Sequence, residues 1–79
     1  MKIRHIGIAV DSIEERLPMW ESLGLKLDHT EKVDSEGVTT AHLKVGGYEI
    51  ELLEPMGKET PVGKFIKKKG PGIHHLALE

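Results

Sequence analysis

The sequence predicts an α+β fold in which one strand-helix-three-strand (βαβββ) module is followed by one further strand, and three observations carry that prediction. Residues 4–10, RHIGIAV, and residues 73–79, IHHLALE, share one pattern of His, large apolar, small, large apolar. Between them lies a capped amphipathic helical segment, followed by three stretches of strand character separated by turn residues. The repeat falls immediately after one complete module, so residues 73–79 read as the opening strand of a second, truncated module.

Each element has a local reason. Residues 2–10 alternate so that Ile6, Ile8 and Val10 share one face and His5, Gly7 and Ala9 the other. Asp11 reads as an N-cap, with Glu14 three residues on completing a capping-box pattern, and the helix runs to about Leu23 before Gly24 ends it. Ile13, Leu17 and Trp20, extended by Leu23, form the apolar stripe that lies on the strand's greasy face. Pro18 interrupts this helix and is expected to kink it or end its first turn early, at about 3 kcal/mol if interior.

Strands are predicted at 25–33, 38–45 and 48–53, punctuated by Ser35-Glu36-Gly37 and by Gly46-Gly47, a two-residue hairpin signal. A short helix is predicted near 61–69, where Pro61 suits the first turn and Lys67, Lys68 and Lys69 suit a solvated C-terminus. The chain is thus one domain over 1–79: a module at 1–54, a connecting loop and short helix at 55–72, and the extra strand at 73–79.

Composition narrows the function. A chain of 79 residues supports one small core, of about 3–5 kcal/mol, and with no cysteines it has neither disulfides nor thiolate metal sites. Eleven basic residues against thirteen acidic ones, and only Trp20, Tyr48 and Phe65 as aromatics, speak against a nucleic-acid partner. There is no apolar run of membrane-spanning length and no signal-peptide centre in MKIRHIG, so a soluble cytoplasmic protein is expected.

Candidate chemistry lies on the small-residue face. His5 shares it with Gly7 and Ala9, and His75 shares its own with Ala77. Glu49 and Glu51 face away from Ile50 and Leu52. Two imidazoles with the Glu51 carboxylate suit a borderline divalent ion, although a lone strand histidine is more often a surface or hydrogen-bonded residue than a ligand. His29 and His42 are expected to face solvent, His74 to point away from His75, and Glu54 to be exposed. Ser12, Ser22 and Ser35 sit in capping, helical or turn contexts, and no phosphate-binding loop is present.

HIGIAV at 5–10, SLGLKL, GVTTAHLKVGGYEIELLEP at 37–55 and TPVGKFIKKKGPGIHHLALE at 60–79 together resemble the N-terminal part of the methylmalonyl-CoA epimerase family. That family belongs to the vicinal-oxygen-chelate group with glyoxalase I and the bleomycin-resistance proteins. The resemblance implies paired modules forming a cup around one divalent metal, cobalt, zinc or nickel. His5 and His75 would be ligands, and Glu51 would match a fourth-strand position that in relatives either ligates the metal or approaches it through water. The last ligand, a glutamate of the second module, has no counterpart, and no catalytic carboxylate can be matched, Thr39-Thr40 occupying the stretch where one would be sought.

The implied reaction is proton removal α to the carbonyl of an acyl-CoA thioester. A homodimer would supply His5 and Glu51 twice around a twofold axis. A glyoxalase-I-like lactoylglutathione lyase and a non-catalytic small-molecule binder of the same fold are the alternatives.

Overall fold

A computed structural model describes residues 2–78; Met1 and Glu79, the last residue of the predicted fifth strand, lie outside the described residues. The elements follow in the order β1 (Ile3–Ala9), α1 (Ile13–Ser22), β2 (Lys26–Val33), β3 (Val38–Val45), β4 (Tyr48–Pro55), α2 (Pro61–Lys69) and β5 (Gly72–Leu78), with a 3-10 turn at Asp34–Glu36. One five-stranded sheet has the order β2-β3-β4-β1-β5. β1 runs parallel to β4 and antiparallel to β5, whereas β2, β3 and β4 form an antiparallel meander.

Strand alternation divides the core between the two faces of the sheet. On one face Val10, Ala41, Leu43, Ile50 and Leu52 are buried, and Ile13, Leu17 and Trp20 of α1 pack on them. On the other, Ala9, Val38, Leu53 and Val62 are buried at one end with Phe65 and Ile66 of α2 packed against them. α2 therefore covers only part of its face. The rest stays open and carries His5, Thr40, His42, Glu49 and Glu51.

The helix ends differ from expectation. Ser12 rather than Asp11 is the N-cap of α1, its hydroxyl accepting from the Glu15 amide at 3.2 Å. Asp11 is instead engaged by both Nε and Nη2 of Arg16, which hold its carboxyl below the usual range. Glu54 is not exposed: its Oε1 accepts from the Ile13 amide at 2.6 Å, satisfying a first-turn donor that has no partner within the helix.

α1 continues through Pro18 to Ser22, because Pro18 lies on the solvent side, where water can reach the carbonyl its missing amide leaves free. Leu23 is 66% exposed and outside the stripe, and Gly24, at φ +94°, closes the helix as expected. Thr60 caps α2, accepting from the Gly63 amide at 3.1 Å. Among the described residues no helix is long and apolar enough to cross a membrane.

Candidate functional site

All five histidines of the chain stand on or beside the open face, and most are linked. His5 enters from β1 and His75 from β5, and their Nε2 atoms lie 3.0 Å apart with the rings edge to face. His5 Nδ1 lies 3.1 Å from Glu51 Oε2, which β4 delivers one strand away. Glu51 Oε1 lies 3.8 Å from Nδ1 of His42 on β3, and the same nitrogen is 3.2 Å from Glu49 Oε2. Sequence reading placed His5, Glu51 and His75 together, and the structure shows His5 touching both of the others.

One assignment of tautomers satisfies the whole row. His5 Nδ1–H donates to Glu51, His75 Nε2–H donates to His5 Nε2, and His74 Nδ1–H donates to His75 Nδ1 at 3.0 Å. Burial lowers the pKa of His75 from the usual value, and the neighbouring His5 and His74 lower it further. Its imidazole is thereby held neutral, the form in which histidine binds metals.

Two residues differ from their sequence reading. His42 was expected to face solvent, yet its side chain is only 14% exposed, and the Thr40 hydroxyl lies 2.9 Å from its Nε2. His74 was expected to point away from His75. The β1–β5 register instead steps from Gly7↔His75 to Ile8↔Ile73, leaving His74 as the extra residue of a bulge. A bulge breaks alternation and re-aims a side chain. His74 thus reaches the His75 ring and packs edge-on against Phe65 of α2. His29 is 44% exposed, in line with expectation, although its ring stacks on His42.

His42, Glu51, His74 and His75 border a cleft of about 380 Å³ beneath the N-terminus of α2. Its walls include Glu36, Thr40, His42, Glu51, His74 and His75, with Val38, Leu53 and Val62 as an apolar floor. Such a mixture of apolar lining and a few convergent polar groups is typical of small-molecule sites.

The donor set suits a divalent ion. The two Nε2 atoms lie 3.0 Å apart, and they would both face one ion once the proton between them moves to His75 Nδ1. Glu51 sits on the opposite nitrogen of His5, where a carboxylate orients a ligating imidazole. Among the described residues, the groups of three that place one donor atom per residue within 4.8 Å of the others are His42 with Glu49 and Glu51, and His29 with Glu31 and His42; His5 instead meets Glu51 and His75 through different ring nitrogens.

A βαβββ module with an added strand, carrying histidines on β1 and β5 and a carboxylate on β4 of one open sheet face, defines a class of small α+β domains whose sheet presents a polar, histidine-lined face. The family profile described as the Glyoxalase/Bleomycin resistance protein/Dioxygenase superfamily matches residues 4–79, and the chain belongs to that superfamily.

Its relatives include methylmalonyl-CoA epimerases. A Streptomyces coelicolor methylmalonyl-CoA epimerase variant, in complex with 2-nitronate-propionyl-CoA, superposes with a TM-score of 0.90 at 35% identity, covering 96% of this chain and 58% of that one. A hypothetical protein from Bacillus halodurans superposes at 0.92 with 53% identity, over 95% of this chain and 55% of that one. An uncharacterized Bacillus subtilis protein is 42% identical over 78 residues, which make up 98% of this chain and 56% of the relative. The chain thus spans a little over half the length of these three relatives.

Proposed function

We propose that this chain forms the metal-binding half of an epimerase that acts on an acyl-CoA thioester, methylmalonyl-CoA, by moving the proton α to the carbonyl. The observation that carries the reading is the approach of His5 Nε2 to within 3.0 Å of His75, a residue of the cleft wall, with Glu51 behind His5. The kinship with an epimerase that binds a propionyl-CoA analogue supports the substrate class.

His5 and His75 would hold a divalent ion, cobalt, zinc or nickel, through Nε2, with Glu51 orienting His5 or reaching the ion itself. Bound there, such an ion supplies Lewis acidity toward a thioester carbonyl oxygen. The chain's own residues do the rest. Val38, Leu53 and Val62 keep water from the floor of the cleft. Glu36, which lines the same cleft as His75, would be the carboxylate that exchanges a proton with a substrate lying between them.

A second module or a second copy of the chain completes this assembly. Ile3, Ile73, Leu76 and Leu78 on the β1–β5 ladder are 43–65% exposed, and an apolar patch of this kind is more often an interface than bare surface. A homodimer is the expected state, and a compact monomer in sedimentation velocity would contradict it.

The catalytic reading is tested by incubating the cobalt-loaded protein with methylmalonyl-CoA in deuterated water. Incorporation of deuterium at the α carbon is expected, with a loss of at least about 100-fold in His5→Ala and Glu36→Gln. Conversion of a hemithioacetal without α exchange would identify a lyase instead. Binding of the thioester without exchange would identify a non-catalytic binder.

A further inference from the structure

A second donor cluster lies outside the His5–His75 pair, on the ladder between β2 and β3. We propose that His29, Glu31 and His42 form a second divalent-cation site, suited to a late first-row ion such as zinc(II) or copper(II). The proposal does not rest on the epimerase reading, and of its three ligands only His42 belongs to the network described above, together with Glu49 behind it.

Register brings the three together. His29 and His42 are direct cross-strand partners, and Glu31 follows two residues along β2 on the same face. The rings stack with centroids 4.1 Å apart and planes inclined by 10°. His29 Nε2 lies 3.4 Å from Glu31 Oε1, and one donor atom from each of the three residues falls within 4.8 Å of the others.

The second observation is what stands behind the rings. His29 Nδ1 lies 2.7 Å from Asp28 Oδ2, and His42 Nδ1 lies 3.2 Å from Glu49 Oε2. Asp28 reaches that position because the β2–β3 register slips between Leu27 and His29, making it the extra residue of a bulge. A carboxylate on Nδ1 fixes the proton there and makes Nε2 the ligating atom, the arrangement that recurs behind metal-bound histidines. Both imidazoles of the pair have it. On His42 a metal would take the place of the Thr40 hydroxyl, which lies 2.9 Å from Nε2.

Two nitrogens and one carboxylate oxygen, with the remaining positions open to solvent, suit late first-row divalent ions. His29 and Glu31 are exposed, so rotation of the His29 ring about χ2 can converge the two lone pairs without disturbing the core. Without a cation the same residues form a surface ion-paired stack, and that is the alternative an experiment must separate.

Zinc(II) binding to the full chain, measured by competition with a chromophoric chelator and followed by histidine nitrogen NMR, makes the separation. One equivalent should weaken by at least about tenfold in both His29→Ala and Glu31→Gln, and by about 10–100-fold in Asp28→Asn. The same equivalent should persist in His5→Ala and His75→Ala, with the His29 Nε2 resonance shifting on its addition. Zinc binding by the wild-type protein with no equivalent sensitive to His29→Ala and Glu31→Gln overturns the proposal, as does no zinc binding at all. If the His5–His75 pair takes up no ion, the His29-sensitive equivalent is the only one present. That result separates failure of the central site from failure of this one. Circular dichroism of each variant confirms that the fold is retained; Asp28, His29 and Glu31 are at exposed positions.

Discussion

Gly7 and His75 face each other across the β1–β5 ladder, and the volume a Cβ would occupy at Gly7 is filled by the His75 ring. Gly7 is buried and has an extended backbone, so its lack of a side chain serves close approach rather than an unusual φ. Gly7→Ala must therefore push the imidazole off the sheet. The expected cost is about 1–3 kcal/mol in chemical denaturation, as for other overpacked sites. Metal affinity at the His5–His75 pair should fall by at least about tenfold, because the ring loses the position that sets the 3.0 Å spacing. Unchanged stability and unchanged affinity would show that the ring rests elsewhere in solution.

Glu54 and Ile13 form a second long-range relationship, a carboxylate of β4 accepting the first amide of α1 at 2.6 Å. Glu54→Ala leaves that donor without its partner in a half-buried setting, and a loss of about 1–3 kcal/mol is expected. Glu54→Gln keeps an acceptor but removes the negative charge from the positive end of the helix, so its cost should be about 0.3–1 kcal/mol. Equal costs for the two variants in urea unfolding would mean that charge, not the hydrogen bond, holds the helix end.

These two relationships mark where sequence patterns stop being informative. β3 and α2 were legible to the residue, because each is bracketed by strong local punctuation: Gly37 and Gly46 around one, Thr60-Pro61 and Gly70 around the other. His5, Glu51 and His75 could be placed on one face because period-two alternation holds along β1 and β4 and at the end of β5.

The residues misread were those whose environment is set by distant chain. Glu54 caps a helix 41 residues away in sequence, which no local pattern reveals. His42 is screened from solvent by Glu49 and Glu51 of the next strand and by the His29 ring, so its burial depends on strand order. The signal was present in the Thr40-Ala41-His42 alternation, which puts His42 on the same face as Glu51 once β3 and β4 are paired. His74 escaped because a bulge cancels the alternation rule at that residue.

Gly63 presents a conflict between local preference and packing that magnitudes can decide. Alanine in place of glycine inside a helix is ordinarily favourable by about 0.8–1.0 kcal/mol. Here a Cβ on Gly63 would run into the Gly57 carbonyl and stand 3.0 Å from the Lys58 backbone, atoms that cannot swing aside as a side chain would. The overpacking penalty of about 1–3 kcal/mol exceeds the propensity gain. Gly63→Ala is expected to lower the melting temperature despite improving the helix, whereas Lys64→Ala, at an exposed position, should leave it nearly unchanged.

The stability of the metal-free protein should depend on pH through two histidines acting in opposite directions. Burial depresses the pKa of His75 below the ordinary value of 6.5, so the unfolded chain binds the proton more readily than the folded one. Its contribution is complete above about 6.5 and is lost as the pH falls through the depressed folded value. His29 is raised by its hydrogen bond to Asp28, so its contribution is complete below 6.5 and is lost as the pH rises through the folded value. Unfolding midpoints between pH 4 and 9 (about the span that covers both transitions) should therefore lose an acid-side decline in His75→Gln and an alkaline-side decline in His29→Gln. His29 is open to solvent and its term is reduced by salt, whereas the partly buried His75 term should persist at high ionic strength. An acid-side decline that survives His75→Gln unchanged would assign it to other groups and remove the support for a neutral His75.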